Sequence, residues 1–221
     1  MNGKPDLSGV WQAERDFTGD APKLQVDLNE VTKHWINVFW GLKPEEEPLQ
    51  PVAAAILRQR RGHEPPMTYC LPAGLPGSLF IRGFKIIQAS EEIVMLLAET
   101  GDPTRQIYTD GRGLPQDPQP SWMGYSIGKR EGDTLSVETA GIKEESWLDV
   151  IGHPRSGSMR IRERYRRRDF GHMDLEIALE DPKYYTRPIT LKTQLNLIPD
   201  SDVLEYTCNK NEKDQAHMPR Q

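Results

Sequence analysis

Residues 159–167 read Met-Arg-Ile-Arg-Glu-Arg-Tyr-Arg-Arg, and two of them, Glu163 and Tyr165, carry groups able to move or donate a proton. Side chains on a strand alternate between faces, so Met159, Ile161, Glu163 and Tyr165 share one side while Arg160, Arg162, Arg164 and Arg166 share the other. The arginine face is solvated. The opposite face reads as core, where a carboxylate is costly unless it is paired or changes its protonation. Such a group is a candidate for general acid–base chemistry. In that scheme Glu163 is the base or proton relay, and Tyr165 and Tyr125 donate hydrogen bonds to developing negative charge. The alternative is a carboxylate held in a structural ion pair or standing at the mouth of a barrel.

His153 is the histidine placed to join them, because it lies in a loop bounded by Gly152 and Pro154 that leads into the Glu163 strand. An imidazole titrating near neutrality at a barrel rim could move a proton, although a lone loop histidine also serves as an ordinary hydrogen-bonding residue. Arg112 can hold a substrate carboxylate through two parallel bonds, whereas Asp110, before Gly111, reads as a turn residue bonding backbone N–H groups. Trp122, Tyr125, Tyr165, Tyr184 and Tyr185 could line a pocket for a planar ligand, or equally fill a barrel core. Trp35, with Phe39 and Trp40, either docks a helix to the barrel or lids its ligand.

Other chemistries lack their motifs. The P-loop, the HExxH zinc motif and the GxGxxG fingerprint are missing, and Gly124-Tyr125-Ser126-Ile127-Gly128, although it has the letters of Gly-x-Ser-x-Gly, imitates a nucleophile elbow only superficially, because a strand instead of a helix follows it. His34, His63, His153, His172 and His217 share no ligand spacing, so no dedicated metal centre and no cofactor is expected. Cys70 and Cys208 are likewise too few for zinc; they form either one disulfide or, in a reducing compartment, two free thiols.

These residues must be positioned by many short strands. Alternating segments are expected at residues 7–11, 79–88, 93–99, 105–109, 122–129, 134–139, 159–167, 173–179, 190–197 and 203–208, separated by turns that absorb most of the 18 Gly and 18 Pro. The clearest hairpin turns at Arg130-Glu131-Gly132-Asp133. Helical periodicity is confined to two stretches. In residues 27–40, Leu28, Val31, Trp35, Val38 and Phe39 recur at steps of three and four, and Gly41 to Pro44 stop the pattern. Residues 49–62 suggest a second helix with a basic end at residues 58–61. The expectation is a mainly β, antiparallel barrel in a single domain over residues 1–221, with a two-helix insertion at about 22–62 and a polar tail at 209–221.

Composition narrows the partners. The 221 residues carry a net charge of −5, which argues against nucleic acid despite the arginine cluster. No apolar run approaches the roughly 20 residues of a membrane span. The opening residues contain no apolar core of an export signal, so a cytoplasmic location is expected, or a periplasmic one if a leader has been removed.

Gly9-Val10-Trp11 resembles the Gly-x-Trp element of lipocalins and other calycins. A longer set of residues is similar to a functionally uncharacterised bacterial family of lipocalin-like proteins over roughly residues 5–210. It comprises Asp110-Gly111-Arg112, Pro118-Gln119-Pro120-Ser121-Trp122, Gly124-Tyr125-Ser126, Glu131-Gly132-Asp133-Thr134-Leu135, Gly152-His153-Pro154 and Glu163-Arg164-Tyr165. The resemblance implies a lipocalin-like barrel and no particular activity. The chain departs from it in lacking the export signal many members carry, and in having Lys129-Arg130 where an aromatic residue usually precedes Glu131.

Function is expected to be cofactor-independent turnover of a small aromatic or hydrophobic acid by acid–base chemistry, of lyase, decarboxylase or isomerase type. Glu163, Tyr165, His153 and Tyr125 would be catalytic, and Arg112, Trp122, Tyr185 and Trp35 would bind substrate. The alternative is a non-enzymatic carrier of a small hydrophobic ligand, since fold does not imply function. A third reading has the arginine face meeting an acidic partner, and a homodimer is compatible with any of them.

Overall fold

Alternation of buried and exposed side chains runs through nine strands, and it closes them into one barrel in sequence order. The structure is a computed structural model and describes residues 4–15, 31–88, 90–206 and 208. The strands are β1 (Gly9–Ala13), β2 (Phe84–Gln88), β3 (Ile93–Ala98), β4 (Arg105–Tyr108), β5 (Tyr125–Glu131), β6 (Thr134–Ala140), β7 (Arg160–Arg167), β8 (His172–Glu180) and β9 (Ile189–Leu197). Every neighbouring pair is antiparallel except β4 and β5, which run parallel through only two register pairs, Ile107↔Ser126 and Tyr108↔Ile127. Beyond that short seam β4 ends, and residues 128–131 of β5 continue with β6 alone.

Closure explains one difference from expectation. Residues 203–208 were expected to form a further strand, yet 201–206 and 208 join no ladder. β1 already pairs with β2 on one side and β9 on the other, so no edge remains for a tenth strand. Cys208 is instead anchored by a disulfide to Cys70, 138 residues earlier, which settles the choice between bridge and free thiols.

The helical territory is smaller than its periodicity suggests. The expectation for residues 27–30 lies outside the described residues, and the helix α1 covers only Lys33–Ile36. The backbone N–H of Val38 donates to Asp149 Oδ2 at 2.8 Å instead of extending the helical ladder, and Phe39 N–H donates to Asn37 Oδ1 at 2.7 Å. The β-branched residues around α1 give the helix little intrinsic resistance to that capture. The second helix, α2 (Pro51–Arg60), forms with Pro at its first position and arginines in its last turn. Residues 79–83 do not form the expected start of β2. A 3₁₀ turn, Gly77–Leu79, ends at the first of these residues and 80–82 continue as turn and bend, and a Cβ at Gly77 would stand 2.5 Å from the Trp35 ring. Trp35 therefore docks α1 by lying on a bare backbone.

The barrel interior and the side chains under α1 and α2 make one continuous apolar cluster, from Trp11 and Phe84 through Ile161 and Leu195 to Trp35 and Tyr185. Among the described residues no helix is long and apolar enough to cross a membrane.

Candidate functional site

On β7 the residues that alternation assigns to the core, Ile161, Glu163 and Tyr165, are each 0–1% exposed. Register places Glu163 opposite Val137 of β6 and Ile177 of β8, in a largely apolar layer. A carboxylate there needs a partner, and Arg105 at the start of β4 provides it. The Arg105 guanidinium donates from Nη1 to Glu163 Oε1 at 2.9 Å and from Nη2 to Glu163 Oε2, a two-pronged pair with both side chains fully buried.

The rest of the cluster completes the hydrogen bonding. Arg105 Nε donates to Ser126 Oγ at 3.0 Å and Nη2 to Thr139 Oγ1 at 2.8 Å, while the two hydroxyl oxygens lie 2.8 Å apart. Tyr165 donates its hydroxyl to Glu163 Oε1 at 2.8 Å. Burial, and then the Glu163 charge, push the Tyr165 phenol well above its usual range, so it acts as a donor. Burial pulls the Arg105 guanidinium down, but the Glu163 charge and hydrogen bonds outweigh it and the net direction is up. All three guanidinium nitrogens and both carboxylate oxygens are thus engaged.

A second polar cluster forms around His153, which is fully buried. Its Nδ1 lies 2.5 Å from Asp149 Oδ2 and its Nε2 lies 3.2 Å from Glu47 Oε2. Burial pulls the imidazole pKa down, yet the charge and hydrogen bond of Asp149, followed by those of Glu47, carry it to about 9. Asp149 also accepts the backbone N–H groups of Val38, Gly152 and His153, so it stitches α1 to the loop before β7. Phe39 stands edge-on to the His153 ring at 4.9 Å, and Tyr185 donates its hydroxyl to the Pro154 carbonyl at 2.6 Å.

The residues singled out in the sequence therefore fall into several places. Glu163 and Tyr165 share the barrel interior. His153 and Tyr185 belong to the cluster under α1, close to Trp35, whose carbonyl accepts the Val150 N–H. Tyr125 points outward, because its neighbour Ser126 points in. There it stacks on Tyr108 with ring centroids 5.3 Å apart, and Arg112 lies 3.9 Å over the Tyr108 ring. Arg112 is also bound by Asp110, and its Nη1 donates to the Tyr125 hydroxyl at 3.3 Å. Trp122 is half-buried beneath the Lys143 ammonium. Among the described residues no hydrogen bond or ion pair joins His153, Tyr125 or Arg112 to Glu163.

A cleft of about 1090 Å³ opens at the β4–β5 seam. Thr109 and Arg112 bound one side, the free length of β5 bounds the other, and Val94, Val137 and Glu163 reach it from the barrel interior. Of the residues proposed from sequence, Glu163 and Arg112 line this cleft. Arg105, the buried partner of Glu163, was missed, although its alternation with Ile107 against exposed Gln106 carries the same signal that placed Glu163. Ser126 and Thr139 were missed because hydroxyl residues are as common on outer strand faces as on inner ones.

The described residues contain no group of three His, Cys, Asp or Glu side chains placed to hold a metal ion. Two arginines of the outer face are met by carboxylates, Arg162 by Glu180 of β8 at 2.9 Å and Arg164 by Glu131 of β5 at 3.0 Å. Comparison with family models, curated proteins and solved structures gives no match.

Proposed function

We propose that the protein binds a small aromatic or hydrophobic acid in the cleft at the β4–β5 seam, acting as a carrier or receptor. The observation that carries this reading is the wall of the cleft, where apolar Val94 and Val137 stand beside the end of a fully satisfied polar network at Glu163. Small-molecule sites combine such apolar walls with a few fixed polar groups. Binding is favoured over acid–base turnover because Glu163, the carboxylate that reaches the cleft from the barrel interior, has both oxygens occupied by Arg105 and Tyr165. His153, held between Asp149 and Glu47, belongs to a different cluster.

The closed barrel also supports membership of the lipocalin-like family. It differs from the eight-stranded up-and-down form by a ninth strand and a parallel seam. The Cys70–Cys208 disulfide favours an oxidising compartment such as the periplasm over the cytoplasm. Pairing of Arg162 and Arg164 with carboxylates weighs against an acidic macromolecular partner on that part of the outer face.

A thermal-shift screen of small acids, each incubation then analysed by mass spectrometry, tests the binding reading. Stabilisation by aromatic or aliphatic acids with no new product supports it. A converted product would return Glu163 to a catalytic role, and the absence of any stabilising acid would end the proposal.

A further inference from the structure

Arg130 lies on β5 just before the hairpin tip, where the two-residue Gly132-Asp133 turn is made possible by Gly132 at a φ of 61°. Alternation from buried Ser126 through Gly128 turns Arg130 inward, opposite buried Leu135, while Lys129 and Glu131 point to solvent. Both terminal guanidinium nitrogens are buried, and neither has a hydrogen-bond partner among the described residues. Burial pushes this guanidinium down, with Asp6 the opposing charge. A guanidinium remains charged in proteins, and buried donors without acceptors are rare because they lose their hydration without replacement.

The surroundings define what would satisfy it. Arg130 lines the same cleft as Glu163, but Glu163 is already neutralised by Arg105. Arg112 is held by Asp110, Arg162 by Glu180 and Arg164 by Glu131. Arg130 therefore stands in the wall of the cleft with Val94 and Val137, its terminal nitrogens turned into the wall without a hydrogen-bond partner and with Asp6 as the opposing charge. We infer that Arg130 is the anion-recognition residue of this cleft, its side chain turning out of the wall to take the carboxylate of a monoacid in two parallel hydrogen bonds while the acid's apolar body lies against Val94 and Val137. A carboxylate matches the fork in shape and charge. This inference rests on the binding reading above and names the group that reads the acid; Arg112, the candidate from sequence, is already engaged on the outer face.

The test uses ¹⁵N-labelled full-length protein titrated with phenylacetate and hexanoate, in parallel with the uncharged amides phenylacetamide and hexanamide, and with inorganic phosphate. The acids are expected to shift the backbone amides of Gly128 and Val137 and to bind more tightly than their amides. Arg130→Gln should weaken acid binding by roughly tenfold to a hundredfold while leaving the amides unchanged, and Arg130→Lys should recover part of the loss. Without ligand, Arg130→Gln should leave the melting temperature unchanged or raise it, because a buried unpaired charge is removed.

If acids and amides both map to the cleft and Arg130→Gln leaves the acid preference intact, the role of Arg130 is wrong and the binding reading stands. If no probe perturbs the cleft at millimolar concentration, both fall. Phosphate binding as tightly as the acids would overturn the carboxylate assignment, and a lowered melting temperature in Arg130→Gln would make the residue structural.

Discussion

Glu163→Gln preserves side-chain volume, and by packing alone it would be nearly silent. The buried pair predicts otherwise. A neutral amide in place of the carboxylate would leave the Arg105 guanidinium as an uncompensated charge in a site where both side chains are 0% exposed. Removing one partner of a buried pair costs about 3–5 kcal/mol. At about 2–4 °C per kcal/mol for a chain of this size, the melting temperature should fall by roughly 6–20 °C. Arg105→Met should be comparably harmful, because it strands the carboxylate. The double variant Arg105→Met, Glu163→Leu should regain most of the loss, since replacing both charges by apolar groups of similar size is close to neutral. It would retain a residual cost of about 1–3 kcal/mol, because Tyr165 loses the acceptor for its hydroxyl, whereas Ser126 and Thr139 still bond each other. Urea unfolding of the four proteins measures the cycle, with a constant m-value as the check that the unfolded state is unchanged. If Glu163→Gln costs less than about 1 kcal/mol, or if the single losses simply add in the double variant, the two charges are not coupled and the reasoning fails.

Two further predictions concern stability. His153 has a folded pKa raised from 6.5 to about 9, so its contribution is fully present below pH 6.5 and is lost as the pH rises through 9. Unfolding free energy should drop by about 3 kcal/mol across that window, and His153→Gln should flatten the curve; equal slopes for the two proteins would refute the imidazolium assignment. The disulfide closes a separation of 138 residues, so reduction, or the Cys70→Ser, Cys208→Ser double change, should destabilise the fold. The expected cost is roughly 2–4 kcal/mol, read as a shift in urea midpoint with and without dithiothreitol, and an unchanged midpoint would show that the bridge constrains little.

Local alternation was sufficient to place Glu163 and Tyr165 in the interior, because a strand has a period of two and the intervening arginines admit only one orientation. The same regularity marked most strand segments, and a Pro at the first position with arginines in the last turn marked α2. It failed where tertiary contacts compete with local preference. Residues 37–40 carry a helical spacing, yet the Val38 N–H is taken by Asp149, which lies 111 residues away. On β5 the apolar Tyr125 and Ile127 mark the outer face, and the inward turn of Arg130 follows only from pairing Ser126 with Thr139 and Gly128 with Val137.

The partner of Glu163 is the clearest division between the two levels. The sequence by itself determined that Glu163 shares a face with core residues, where a carboxylate is costly unless it is paired or changes its protonation. That the compensation comes from Arg105, 58 residues earlier, was decided by barrel closure. The order of strands and the register of each ladder bring two distant chain segments into one interior layer, and nothing within either segment encodes that meeting.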